Sequence, residues 1–172
     1  MKTRLLFAAP VVSLALGLGA CGFQPLFARG DTSPGGQQVF HSIYVDPIAA
    51  ERAGYELRDT LIDLLDGPSR QDEALYRLKV TLKQTVEGTG IEQNGDITRY
   101  TYTMVADYEL SNVHTGAEIT KGSETSVEAY DVAASPYSTL VAQEDVQKAA
   151  AEDVADRIRI DLGVYFLKHK GA

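Results

Sequence analysis

The feature that most restricts the possible folds is a pair of alternating segments on either side of Asn94-Gly95. In residues 76–83, and again in residues 100–110, apolar side chains recur at every second position. Side chains of a strand point alternately to its two faces, so each segment predicts a strand with one apolar and one wet face. Asn-Gly favours the tight turn that joins antiparallel strands. The sequence therefore predicts a hairpin with one buried face.

A third strand is predicted from about Ala117 to Tyr130, directly after the turn sequence His-Thr-Gly. Its alternation is weaker, because the polar residues Lys121 and Ser123 share a face with Val127. We therefore expect this strand to be partly exposed or to be covered by a partner.

An earlier strand and a helix precede the hairpin. The run VFHSIYV, starting at Val39, is rich in apolar and β-branched residues and predicts a strand. Asp46 is the expected N-cap of the helix, with Pro47 at its first position. Gly67 is expected to end the helix in the left-handed conformation. The predicted apolar stripe consists of Ala50, Ala53, Leu57, Leu61 and Leu64.

A final helix of about thirty residues is predicted to start at Ser135-Pro136, again a cap followed by proline. It would be roughly 45–50 Å long. Its acidic pairs at 144–145 and 152–153 are expected to be solvated. The resulting order βαβββα defines an α+β fold, a two-layer sandwich in which a four-stranded sheet carries two helices on one face. The expected stripe of this helix is Val146, Ala150, Val154, Ile158, Leu162 and Tyr165.

The N-terminus has the form of an export signal. Lys2 and Arg4 precede an uncharged apolar run over residues 5–18, which is short for a membrane span. Residues 18–21 (LGAC) look like the lipobox of bacterial lipoproteins, in which the cysteine is lipidated and becomes the first residue after cleavage. Cys21 is the only cysteine, and lipidation explains a single thiol in an exported chain.

Three parts of the chain follow from this interpretation. Residues 1–20 are the lipoprotein signal peptide, residues 21–38 a lipidated N-terminus and flexible tether, and residues 39–172 an α/β domain. Removing Lys2 and Arg4 leaves 14 basic against 24 acidic residues, a formal charge of −10. Such an acidic domain is a poor candidate for binding nucleic acid.

The sequence contains no pattern that indicates catalysis or a cofactor. His41, His114 and His169 lie far apart, and none has metal-ligand spacing to another His or to Cys. Residues 88–90 (GTG) lie in the predicted hairpin and lack the third glycine of a dinucleotide loop. No Ser lies in a strand-to-helix elbow of the hydrolase kind. We therefore expect a non-enzymatic protein without metal or cofactor.

The start of the mature chain and the order of elements together resemble the LptE family of lipopolysaccharide-assembly lipoproteins. The resemblance rests on residues 18–26 (LGACGFQPL), on Asn94-Gly95 before a Tyr-rich strand, and on residues 140–143 (LVAQ) opening the last helix. It implies a plug inside the outer-membrane β-barrel LptD, which assists barrel assembly and helps to deliver lipopolysaccharide to the cell surface. Gly22, in place of the Asp that retains lipoproteins at the inner membrane, implies lipid anchoring at the periplasmic face of the outer membrane.

The resemblance also implies where lipopolysaccharide could bind. Family members can carry basic residues near the central hairpin and at the start of the last helix, but here the nearest positions are Gln93 and Gln143. The local basic alternatives are Arg99, Arg77, Lys79 and Lys83. The last three share the wet face of one strand, where they could meet phosphates. The alternative is that they are solvated charges that protect a sheet against aggregation.

Two rival functions remain open at this point. The chain could be a stand-alone periplasmic lipoprotein that binds a lipid or glycan, or it could be an unrecognised periplasmic hydrolase. Co-purification with a large β-barrel distinguishes the translocon subunit from both.

Overall fold

The structure, a computed structural model, describes residues 37–91, 93 and 95–169. The predicted order βαβββα is confirmed, with two additional single-turn helices. In chain order the elements are helix α1 (Gln37–Phe40), strand β1 (Ile43–Val45), helix α2 (Glu51–Leu65), a 3₁₀ turn (Gln71–Glu73), strands β2 (Tyr76–Ile91), β3 (Ile97–Asn112) and β4 (Glu118–Asp131), and helix α3 (Pro136–Lys168).

The four strands form one mixed sheet in the order β1-β2-β3-β4. β1 runs parallel to β2 and pairs with it only from Tyr76 to Leu78. β2 and β3 are antiparallel, and their pairing extends from Tyr76↔Asn112 to Ile91↔Ile97. β4 completes the sheet on the other side of β3, also antiparallel. The predicted four-stranded α+β sandwich is therefore confirmed.

The alternation in β3 separates the two faces of the sheet as predicted. Tyr102, Met104, Ala106, Tyr108 and Leu110 are buried on what we call the helix face, under α2 and α3. The residues between them, such as Asp107 and Glu109, lie on the opposite side, which we call the open face.

The core is closed by one stripe from each long helix. Burying a leucine-sized side chain contributes about 1.5–3 kcal/mol, so these stripes hold both helices on the sheet. In α2 the last buried residue of the stripe is Leu65, whereas the sequence predicted Leu64. In α3, Val146 and Tyr165 of the predicted stripe are only half-buried. Arg52 Nη1 and Glu144 Oε1, 2.6 Å apart, join the two helices at their N-terminal parts. The buried stripe residues are Ala53, Leu57, Leu61, Leu65, Ala150, Val154, Ile158 and Leu162.

The first strand is shorter than predicted. The strand expected from Val39 is interrupted by a turn, in which both the backbone N–H and the hydroxyl of Ser42 donate to the Val39 carbonyl, at 3.1 and 2.7 Å. The turn buries Phe40, whose ring makes an edge contact with Phe166 at a centroid distance of 6.5 Å. Only residues 43–45 then pair with β2.

The start of α2 also differs from the prediction. Asp46 is not its cap, because the Asp46 N–H donates to Leu78 O at 3.0 Å and so continues the β1–β2 ladder. The helix begins four residues later, after Ala50. At its other end, Asp66 takes the left-handed conformation (φ 49°) that was expected of Gly67. Gly67 is needed for another reason, since a Cβ there would overlap the Ile43 carbonyl oxygen.

The hairpin and the start of α3 agree with the sequence. Gly95 has φ 89° in the turn between β2 and β3, while Asn94 lies outside the described residues. Ser135 is the N-cap of α3 and is followed by proline. Most of β4 is exposed or half-buried, as expected, and Val127 on its open face is 60% exposed. The predictions for residues 1–36, including the signal peptide and Cys21, fall outside the described residues.

Candidate functional site

The predicted basic row lies on the open face of the sheet. Arg77, Lys79 and Lys83 follow one another along β2, on the side opposite the buried Leu78 and Val80. This placement agrees with the wet face that the alternation predicted. The row faces away from the helices and into solvent.

Two members of the row are held by acidic neighbours. Arg77 Nε lies 3.5 Å from Asp46 Oδ1. Lys83 Nζ lies 2.9 Å from Asp107 Oδ2, and the Ser123 hydroxyl donates to the other oxygen of that carboxylate at 2.7 Å. The hydrogen bonds from Lys83 and then Ser123 lower the pKa of Asp107 from its ordinary value. Any phosphate at these two cations would therefore meet the negative charge of a neighbouring carboxylate.

Lys79 differs from its two neighbours. It is exposed, and across the sheet it stands in register with Glu109, which in turn faces Lys121. Lys121 Nζ is paired with Glu118 Oε1 at 3.0 Å, whereas Lys79 makes no ion pair with the residues that the structure describes. Lys79 is therefore the member of the row best able to accept an external anion.

The remaining predicted residues lie at the far end of the sheet, which we call the hairpin end (the described residues of 86–100 and 130–143). Arg99 Nη1 lies 3.4 Å from Asp131 Oδ1, and Gln93 is exposed in the turn. Gln143 is half-buried in the second turn of α3. Residue 99 lies six positions along β3 from Val105, the partner of Lys83, or roughly 20 Å at about 3.4 Å per residue. The sequence-predicted residues thus form two separate groups.

A groove of mixed polarity at the hairpin end was missed by the sequence analysis. It has a volume of about 800 Å³ and lies between the β2–β3 turn and the connection from β4 to α3. Its lining combines apolar side chains, such as Ile97, Val132 and Pro136, with the polar Asp96 and Thr139. The exposed side chains of Val86, Tyr137 and Leu140 belong to the same end. Their apolar character is visible in the sequence, but only the folded strand and helix ends bring them together.

Tyrosines support the wall of this groove. The Tyr100 and Tyr130 rings stack at a centroid distance of 5.5 Å, and burial raises the pKa of Tyr130. Tyr102 is fully buried next to them and donates its hydroxyl to Gln84 Oε1 at 2.8 Å. Burial raises the pKa of Tyr102 to about 12. The hydroxyls of Tyr102 and Tyr130 are therefore neutral hydrogen-bonding groups at physiological pH.

Within the described ranges, none of the helices combines the length and apolarity needed to cross a membrane. Among the same residues, no group of three or more His, Cys, Asp or Glu side chains is placed to hold a metal ion. The described residues therefore present two surface features, an open face with ion pairs and a groove at the hairpin end.

Solved structures identify the class of protein that has this architecture. The fold is similar to a chain assigned as a lipoprotein from Caulobacter crescentus CB15, with a TM-score of 0.62, 31% identity, and coverage of 79% of this chain and 98% of that one. It is also similar to the rare lipoprotein B from Shewanella oneidensis (TM-score 0.56, 10% identity, coverage 74% and 98%). A minor lipoprotein from Acinetobacter baumannii gives a TM-score of 0.52 at 18% identity, with coverage of 72% and 92%. The domain is thus of a type found in bacterial lipoproteins.

The particular family follows from the sequence match. The LptE model, described as lipopolysaccharide-assembly, matches residues 40–162, and the chain belongs to this family. The predicted resemblance to LptE is therefore confirmed. The family's role is assembly and not catalysis. No curated protein matches the chain.

Proposed function

We propose that this protein is a lipid-anchored subunit of the outer-membrane lipopolysaccharide translocon, with an LptD-type β-barrel as its obligate partner. In this role it plugs the barrel lumen, assists barrel assembly and helps to deliver lipopolysaccharide to the cell surface. The observation that carries the proposal is the family match over residues 40–162, which spans almost the whole described domain. A compact two-layer domain with a charged surface suits the polar lumen of a wide barrel.

The anchor in this proposal is Cys21. It would carry a diacylglyceryl group and become the first residue of the mature chain on the periplasmic face of the outer membrane. Each buried CH₂ contributes about 0.8 kcal/mol, so two or three acyl chains make the attachment effectively permanent.

The groove at the hairpin end supports a direct role with lipopolysaccharide. The groove is open to solvent, and its Ile97, Val132 and Pro136 side chains could contact acyl chains beside polar groups such as Thr139. Arg99 lies in the same part of the sheet and could exchange Asp131 for a lipid phosphate, because both side chains are more than half exposed. We propose that this end, more than the ion-paired row on the open face, receives the lipid.

The partnership is tested by purifying the tagged full chain from outer-membrane extracts. Recovery of a large β-barrel in a fixed ratio is the expected result. A chain that never accompanies a barrel, yet binds lipopolysaccharide or a glycan tightly, would favour the stand-alone lipoprotein instead. Turnover of a substrate that one point change abolishes would favour a hydrolase.

The groove is tested separately by introducing the same charge at a valine inside the groove and at a valine outside it. Val132→Asp places a charge in the groove, where Val132 is 40% exposed. Val127→Asp is the matched control on the open face, where Val127 is 60% exposed. We expect Val132→Asp to weaken binding of lipopolysaccharide in detergent, and Val127→Asp to leave it unchanged. Equal affinities for both variants would exclude the groove.

A further inference from the structure

Strand β2 is paired along only one of its two edges over most of its length. β1 pairs with Tyr76–Leu78 and ends there, while the pairing of β2 with β3 continues to Ile91. Within the part of the chain that the structure describes, no strand lies beside β2 beyond Leu78 on that side. The sheet therefore has a free edge along residues 79–91, which we call the β2 edge.

The direction of the backbone groups along the β2 edge follows from the contacts with β1. The Tyr76 N–H donates to Ser42 O at 3.0 Å, and Leu78 O accepts from the Asp46 N–H at 3.0 Å. Hydrogen-bonding groups of successive residues in a strand point alternately to its two edges. The N–H and C=O groups that point outward, where a further strand would bind them, are therefore those of residues 80, 82, 84, 86 and 88.

The two outer edges of the sheet carry different side chains on the helix face. Glu124 and Glu128 lie on this face of β4, and inward-pointing charges of this kind protect an edge against strand addition. Across β3 they stand in register with Leu82 and Val86 of β2, which are apolar. Val86 is 45% exposed, so the helices leave this part of β2 uncovered. The β2 edge thus lacks the protection that β4 has.

The open-face side chains of the β2 edge restrict which strand it can accept. Lys83, Thr85 and Glu87 alternate along this face and are exposed. Like charges that lie directly opposite each other across a pair of strands are destabilising, and opposite charges are stabilising. An added strand must therefore place an acidic residue opposite Lys83 and a basic or neutral residue opposite Glu87.

We propose that the β2 edge pairs with the β2 edge of a second copy of this chain, in antiparallel orientation and with Thr85 opposite Thr85. In this two-fold arrangement Lys83 of each copy lies opposite Glu87 of the other, so the favourable pair forms twice. The outward-pointing residues also meet one another, Leu82 with Gly88 and Gln84 with Val86, as a hydrogen-bonded ladder requires. The edge is therefore complementary to itself in both backbone and charge.

Charge selects this register among those that the backbone allows. The two nearest alternatives are centred on Gln84 and on Val86, and both leave Lys83 and Glu87 opposite threonines. The paired stretch is limited to about residues 82–88, because Asp46 occupies the position beside the start of the edge and the register with β3 shifts after Gly88. So short a contact predicts a weak dimer that must be trapped to be seen.

The pairing is tested by disulfide trapping of the purified full chain in detergent under mild oxidation. The barrel is absent, and the inference does not rest on the translocon role. Thr85→Cys places two thiols at the two-fold axis, in a pair whose Cα atoms lie about 4.5 Å apart, within reach of a disulfide. Thr81→Cys is the matched control, exposed on the same strand and face but distant from its own copy in the dimer. We expect a disulfide dimer from Thr85→Cys, and from Thr81→Cys no more than from the wild type, whose only cysteine is Cys21.

Two changes block the β2 edge without disturbing the pairing of β2 with β3. Combined with Thr85→Cys, Val86→Pro removes an N–H that points outward and takes no part in that pairing, and it should abolish the dimer. Glu87→Lys places a lysine opposite Lys83 at both symmetric positions and should lower the yield of dimer roughly tenfold. Its neighbour in β3 is the neutral Thr101, so this second change leaves the single copy undisturbed if the proline variant folds poorly.

Hydrogen exchange distinguishes a second copy from any other occupant of the edge. The amides of residues 82, 84 and 86 should gain protection only as protein concentration rises, whereas the amides of residues 81, 83 and 85 are already held by β3. Protection that does not depend on concentration would show that a segment of the same chain covers the edge, and would overturn the proposal. Equal disulfide yields from Thr85→Cys and Thr81→Cys, or a dimer that survives Val86→Pro, would also overturn it.

Discussion

Tyr108 and Asp161 are joined by a 3.1 Å hydrogen bond that connects the central strand of the sheet to the last helix across an intervening strand. The bond depends on the missing side chain of Gly122, which leaves room for the tyrosine hydroxyl. Burial, followed by the charge and hydrogen bond of Asp161, strongly raises the pKa of Tyr108, so the phenol stays a donor. A buried tyrosine on a predicted apolar face therefore also has a polar function.

Replacing Gly122 with Ala should destabilise the domain. The new methyl would lie 2.6–2.8 Å from three atoms of the Tyr108 ring and hydroxyl. Overpacking of this kind costs about 1–3 kcal/mol, because the ring must shift and the bond to Asp161 lengthens. Urea unfolding of the full chain measures the change in free energy of unfolding.

A double-mutant cycle provides the control for this prediction. Tyr108→Val removes the ring that the methyl would strike, so Gly122→Ala should cost much less in that background. The two effects should be non-additive by more than about 0.5 kcal/mol, as for residues in contact. Additive effects would show that the ring of Tyr108 does not depend on the absence of a side chain at Gly122.

Tyr102 should show a pH dependence at alkaline pH. Its pKa is about 12 in the folded state against an ordinary value of 10, so its contribution to stability is complete below pH 10 and is lost between those values. Tyr102→Phe should reduce this loss of stability at alkaline pH. Near neutral pH the same change should lower the free energy of unfolding by about 0.5–1.5 kcal/mol, because the hydrogen bond to Gln84 is lost. Phenolate absorbance and unfolding at several pH values measure both effects. A phenol that titrates at its ordinary pKa would contradict the burial argument.

How much of this fold the sequence predicts depends on the range of the interactions involved. The hairpin is local, because the alternation and Asn94-Gly95 specify both strands and their turn. The prediction that Asp46 caps the helix was wrong, because its N–H donates to the carbonyl of Leu78. Leu78 is distant in sequence, so no local pattern around Asp46 predicts this hydrogen bond. The strand predicted from Val39 to Val45 was also too long. Phe40 is buried against Phe166 of the last helix, again a contact between residues distant in sequence.

The site was predicted less completely than the fold. Glu144 and Asp153 of the last helix are partly exposed, as expected, but they are also ion-paired, Glu144 with Arg52 and Asp153 with Arg157. The Arg52–Glu144 contact depends on the register of α3 against α2, which periodicity alone does not fix. The basic row was located correctly on the solvent-exposed face, while the carboxylates that pair with Arg77 and Lys83 come from other segments.

The basic row gives a prediction that separates its members. Because Arg77 and Lys83 are held by Asp46 and Asp107, we expect Lys79→Gln to reduce lipopolysaccharide binding at low salt more than Lys83→Gln does. Binding of the full chain to lipopolysaccharide micelles, measured at two salt concentrations, tests this. If the triple change to Gln at all three positions leaves affinity unchanged, the row serves only to protect the sheet.

The anchor gives a prediction about the mature N-terminus. Cys21→Ala should prevent lipidation, and the part of the chain that is not bound to its β-barrel partner should leave the membrane fraction because no acyl chains hold it. Mass spectrometry of the wild-type protein should find a mature chain that begins at Cys21 and carries a diacylglyceryl group. A mature chain that begins elsewhere without lipid would remove both the anchor and the proposed location.

The most direct test of the proposed role is site-specific photo-crosslinking in growing cells from positions 93, 100 and 101. Gln93 is exposed at the turn, Tyr100 lines the groove, and Thr101 points to the open face, so the three probes sample different surroundings. We predict crosslinks to a large outer-membrane β-barrel from at least one position, and to lipopolysaccharide from position 100. Efficient labelling of neither barrel nor lipid from any of the three positions would contradict the account.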